Sequence, residues 1–114
     1  MHAWKDGDRY LGSYVTGPTY LTVAVTFGDG GTEPVVSLSF SDLDPDPDAH
    51  DPNRYLMHAQ EGLLKANQEY TGNLAIKSLE VHPSETPSVA GFANIIVYRI
   101  ASRILIGGEF PFKT

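Results

Sequence analysis

The sequence predicts an α+β fold: a two-layer sandwich with a mainly antiparallel sheet and two helices on one face, in the order β-β-β-α-β-α. Three observations lead there. Residues 10–40 alternate apolar and polar positions, residues 51–72 switch to helical spacing, and residues 88–106 carry an apolar arc interrupted only by a lone Gly91.

Residues 10–15 form a first short strand, bounded by Gly7 and by Gly17-Pro18. Residues 19–27 form the clearest one, with Leu21, Val23, Val25 and Phe27 on one face and Thr22, Ala24 and Thr26 on the other. Gly28-Asp29-Gly30-Gly31 supplies residues that tolerate positive φ, and residues 35–40 alternate again, so an antiparallel hairpin is expected between these two runs. Asp51 then caps a helix whose first residue is Pro52, a position where the missing N–H costs nothing. Leu56, Ala59, Leu63, Ala66 and Tyr70 recur at helical spacing, and Gly72 offers a stop. Residues 74–81 read as a strand with broken alternation, since Leu74 and Ile76 fall on one face and Leu79 and Val81 on the other. The last element opens at Thr86-Pro87 and stops at Gly107-Gly108. Val89, Ala93, Ile96, Val97, Ile100 and Ile104 make a helical arc, although the β-branched run Ile95-Ile96-Val97 favours a strand; the length and the arc decide for helix. Phe110 and Phe112 alternate in a tail that can dock as an extended segment.

The 114 residues suit one domain, 1–114, with 41–53 as an acidic, proline-rich connecting loop. An apolar content of 41% suffices for one core. The chain has no cysteine, which removes disulfides and thiolate chemistry and suits a reducing cytoplasm. MHAWKDGDRY lacks the apolar core of a secretory leader, and no run is long enough to span a membrane. A net charge of -6 with no basic stripe argues against nucleic acid as a partner.

The most unusual stretch is SDLDPDPDAHDPN, residues 41–53. Asp42, Asp44 and Asp46 alternate as calcium-loop ligands do, but Pro47 and Asn53 stand where an EF-hand needs Gly and Glu, leaving at most an irregular cation site. Carboxylates could also mimic phosphates, but in a polyproline II segment alternate side chains diverge. The plainest reading is a solvated, proline-stiffened linker. The functional one is an acidic docking surface for a basic protein.

Among the histidines, His50-Asp51 and His58-x-x-Glu61 supply the first metal-ligand candidates, without a third ligand at recognisable spacing. Ser84-Glu85-Thr86 beside His82 is more simply a helix entrance than a triad fragment. Arg99 and Arg103, one turn apart, suit a solvated face near a helix C-terminus better than an anion clamp. Trp4, Tyr10, Tyr14 and Tyr20 either pack on the sheet or form a recognition surface.

These readings converge on a small acidic cytoplasmic interaction protein, a binder or inhibitor of a basic protein partner. Asp42, Asp44, Asp46 and Asp48 would steer that partner, with Trp4 and Tyr14 as contact anchors. No catalytic set, metal or cofactor is expected. Two alternatives stand beside it: a small-molecule-binding or metal-dependent enzyme with a site near the first helix (His50, Asp51, His58, Glu61), and a structural subunit of an assembly. Ile95, Leu105, Ile106, Phe110 and Phe112 raise a homo-oligomer as an open alternative to a monomer.

Overall fold

The computed structural model of the chain describes residues 1–16, 19–28, 30–31, 33–38, 51–83 and 90–110. Five strands and two helices follow in the order β1 (His2–Asp6), β2 (Arg9–Thr16), β3 (Thr19–Gly28), β4 (Val35–Leu38), α1 (Pro52–Tyr70), β5 (Ala75–Pro83) and α2 (Phe92–Leu105). The α+β class and the mainly antiparallel sheet stand as expected, and residues 92–105 are helical. One further strand, β1, precedes the expected ones. It pairs antiparallel with β2 from His2↔Ser13 to Asp6↔Arg9. Gly7, at φ +64°, opens the two-residue turn between them, as a type II′ hairpin requires.

The sheet order is β1-β2-β3-β5-β4. This corrects the expected hairpin of β3 with residues 35–40. β4 does not pair with β3; it runs parallel to β5, which occupies the slot between them. β5 wins that slot because it is nine residues long and buries Ile76, Leu79 and Val81, whereas Val35 of the four-residue β4 is 68% exposed. A tight turn would have closed β3 onto its neighbour. β4 instead lies two strand spacings, about 10 Å, from β3. β4, α1 and β5 thus form a parallel β-α-β unit at the edge of an antiparallel sheet.

A bulge explains the broken alternation of β5. Thr26 pairs with Ser78 but Phe27 pairs with Ile76, so Lys77 is the extra residue. It turns outward, and Ile76 returns to the face of Leu79 and Val81.

Both helices cover one face. Leu21, Val23 and Val25 of β3, Leu79 and Val81 of β5, Tyr55 and Leu63 of α1, and Ile96, Val97 and Ile100 of α2 form one buried cluster. α2 lies on β2 where Gly12 has no side chain; a Cβ there would come within 2.6 Å of Ile96 Cγ2 and 3.2 Å of Ile100 Cδ1. The helices meet where Gly62 faces the backbone of Asn94, among the buried alanines Ala59, Ala66, Ala93 and Ala101. Leu56 is only half-buried, Tyr70 is exposed, and Tyr55, absent from the expected arc, is 1% exposed.

The helix ends follow from local chemistry. The Asn53 N–H donates to Asp51 Oδ1 at 2.9 Å and Pro52 opens α1. α1 stops at Thr71, in the left-handed region at φ 53°, with the Gly72 N–H donating to the Asn67 carbonyl at 2.9 Å. The Asn67 amide then exchanges two hydrogen bonds with the Leu74 backbone, at 3.0 and 3.1 Å, aiming the chain into β5. α2 closes in a Schellman motif: Gly108 N–H to Arg103 carbonyl at 2.8 Å and Gly107 N–H to Ile104 carbonyl at 3.1 Å. Its N-cap is Gly91, without a side-chain cap, so α2 begins later than Thr86-Pro87, which lie outside the described residues.

Candidate functional site

The face of the sheet away from the helices carries a charged network of its own among the described residues. Register places His2, Trp4 and Asp6 of β1, Arg9, Leu11 and Ser13 of β2, Thr22, Ala24 and Thr26 of β3, and Ser78, Glu80 and His82 of β5 on this side. Arg9 is its hub. It donates to Asp6 Oδ2 at 2.9 Å and, reaching across β3, to Glu80 Oε2 at 2.8 Å. The hydrogen bond to Asp6, with the nearby Glu80 charge, holds the guanidinium above its ordinary pKa despite partial desolvation. Glu80 Oε1 also lies 3.6 Å from His82 Nε2. Because Ala24 is small, Arg9 can cross β3, and Ala24 and Leu11 are almost fully covered although no helix lies above them. Thr22 donates to Ser13 at 3.1 Å, and Thr26 and Ser78 share a hydrogen bond at 2.5 Å.

Trp4 belongs to this face, half-buried, with its ring 5.1 Å from that of His2. Tyr14 does not. It lies on the helix side, edge-on to Phe92 at 4.8 Å, so the two aromatic candidates occupy opposite faces. Asp51 is exposed and engaged as the α1 cap. His58 Nδ1 and Glu61 Oε2 are 3.6 Å apart, and Asn94 Nδ2 donates to the same oxygen at 3.5 Å, tying α1 to α2. Seven residues, about 10 Å of helix, separate Asp51 from His58. No group of three or more potential metal ligands occurs among the described residues. Asp42, Asp44, Asp46, Asp48 and His50 lie outside them.

Sequence reasoning missed the Arg9 hub, since Arg9 and Glu80 are 71 positions apart. The one available signal was Ala24, small and central in a strand whose other positions on the same face, Thr22 and Thr26, are larger. No family model matches the chain, and neither a curated protein nor a solved structure shows significant similarity to it. No helix among the described residues is long and apolar enough to cross a membrane.

Proposed function

We propose that this chain is a small acidic interaction protein of the cytoplasm that binds, and by covering it inhibits, a basic protein partner. The observation that carries this reading is the segregation of charge. The chain holds fourteen acidic and eight basic residues, and without Asp42, Asp44, Asp46 and Asp48 its charge of -6 would be -2. Most of the net charge therefore sits in seven residues that lead directly into the exposed, Asp51-capped start of α1. Clustered charge of this kind accelerates encounter with a partner of opposite sign. Trp4, beside the Arg9–Glu80 ladder, supplies the aromatic surface on which tight contact depends. Tyr14 supports the sheet from the other side.

Immobilised chain incubated with lysate at low and high salt identifies the partner. Stopped-flow mixing then compares the native chain with the variant in which Asp42, Asp44, Asp46 and Asp48 are all Asn. Association should slow by about tenfold at low salt and lose its salt dependence, while dissociation stays nearly unchanged. An unchanged low-salt association rate would falsify the steering role. Trp4→Ala should act on dissociation instead.

Self-association is a separate property. Of the residues expected to carry it, Leu105 and Phe110 pack against the core, Ile95 is half-buried, Ile106 is 65% exposed and Phe112 lies outside the described residues. Sedimentation that remains monomeric at high concentration removes it.

A further inference from the structure

We propose that the chain self-associates through the outer edge of β4, where a second copy adds its own β4 antiparallel across a two-fold axis and continues the sheet. This surface is independent of the basic-partner reading and lies apart from the end of α2.

β4 pairs with β5 on one side, and among the described residues no strand pairs with its other edge. Sheet edges are ordinarily guarded by charge, proline or a bulge. The opposite edge strand, β1, carries Lys5 and Asp6. Val35, Val36, Ser37 and Leu38 carry no such guard. Val36 and Leu38 pack against the core yet are only half-buried, because the sheet ends beside them.

α1 extends the same surface. It packs on β4 and β5 while α2 packs on β2 and β3, so the flank of α1 away from α2 overlooks the β4 edge. Met57, Gln60 and Leu64 recur along that side at helical spacing. Gln60 and Leu64 line a shallow depression with Pro34, the residue before β4. α1 runs back between two parallel strands, so Met57, two turns earlier, lies toward the far end of β4. Val35, Met57 and Leu64 are each more than half exposed.

The occupant that fits is a second copy. Two chains of charge -6 repel, and they meet most readily on a patch without ionisable groups, as this one is. A charged partner would find no counter-charge here. The open backbone groups of a strand edge are satisfied by an antiparallel strand, and a two-fold contact needs a surface complementary to itself. The axis that pairs β4 with its copy also sets α1 antiparallel to its copy. It brings Met57 toward the second copy's Leu64, with Gln60 near the axis. The spans agree: about 10 Å of helix from Met57 to Leu64 against about 13 Å for the four residues of β4.

Sedimentation of the full chain from about 10 μM to about 1 mM tests this, and a monomer–dimer equilibrium should appear in that range. Val35→Lys and Leu64→Lys, both at exposed positions, should keep the native melting temperature and each raise the dimer dissociation constant at least about tenfold. Ile106→Lys, at the end of α2, should leave it unchanged. Hydrogen exchange within Val35–Leu38 should slow as the dimer fills. If one lysine variant fails to fold, the other decides alone. A chain that stays monomeric at about 1 mM leaves the edge to a strand of another protein and overturns the proposal. So does a dimer that survives the folded lysine variants, one that Ile106→Lys dissolves, or one that leaves exchange in β4 unchanged.

Discussion

Thr71 adopts φ 53° and ψ 47°, where a β-branched side chain crowds its own backbone. Only the turn requires this conformation, so Thr71→Gly is expected to raise the unfolding free energy by about 1 kcal/mol in urea titration. Gly107, at φ +77°, plays the same part for α2, and Gly107→Ala should lose a similar amount. Tyr55 makes a pH-dependent case. Burial pushes its phenol up to about 12, against about 10 in the unfolded chain. The folded state holds this proton more tightly. Its contribution is therefore complete below pH ~10 and lost as pH climbs toward 12, on the order of 2–3 kcal/mol across that window. Tyr98 is also raised, by its hydrogen bond to Glu69, and is half-buried at the edge of the core. Comparing the native chain with Tyr55→Phe isolates the buried group: the variant should lose stability less steeply above pH 10, and equal slopes would contradict the assignment.

At the level of elements, the contact between α1 and α2 is the least forgiving. A Cβ on Gly62 would drive into the carbonyl oxygen of Asn94, which belongs to a helix backbone and cannot swing aside. Gly62→Ala should therefore destabilise by about 1–3 kcal/mol or more, although alanine is the better helix former. Leu63→Ala and Ile100→Ala remove large side chains that are 2% and 0% exposed and should each cost about 2–5 kcal/mol in chemical denaturation. The start of α1 was legible because Asp51 and Pro52 act through their immediate neighbours. Its inner face was less so: Tyr55, four residues before Ala59, lies on the buried arc, whereas Tyr70, also in register with it, is the last residue of the helix and is exposed. The slip in β5 was visible as broken alternation, but only pairing with β3 shows that Lys77 is the residue set aside.

For the whole molecule, class and layering could be read from periodicity, while strand order could not. Gly28 to Gly31 looks like a hairpin turn because such glycines permit one. Whether β4 stays beside β3 depends on a competitor, β5, encoded some forty residues later. The candidate surfaces divide in the same way: the acidic run is local and legible, whereas the Arg9–Glu80 ladder exists only after distant segments meet. The charge asymmetry makes a further prediction. Replacing Asp42, Asp44, Asp46 and Asp48 with Asn should leave the unfolding free energy within about 0.5 kcal/mol of the native chain, as surface changes do, while changing net charge from -6 to -2. A large loss in guanidinium titration would mean that the segment is part of the core structure.

The late insertion of β5 has a consequence for biosynthesis. Until residues 75–83 have emerged from the ribosome, β3 has an open flank, and β4 cannot take its place in the sheet. An unfilled slot between two strands invites pairing with any extended segment, including another nascent copy. The vulnerable interval in the life of this protein is thus the time needed to translate α1 and reach Pro83. Slowing translation across residues 52–74 should increase misassembly more than an equal delay after residue 83.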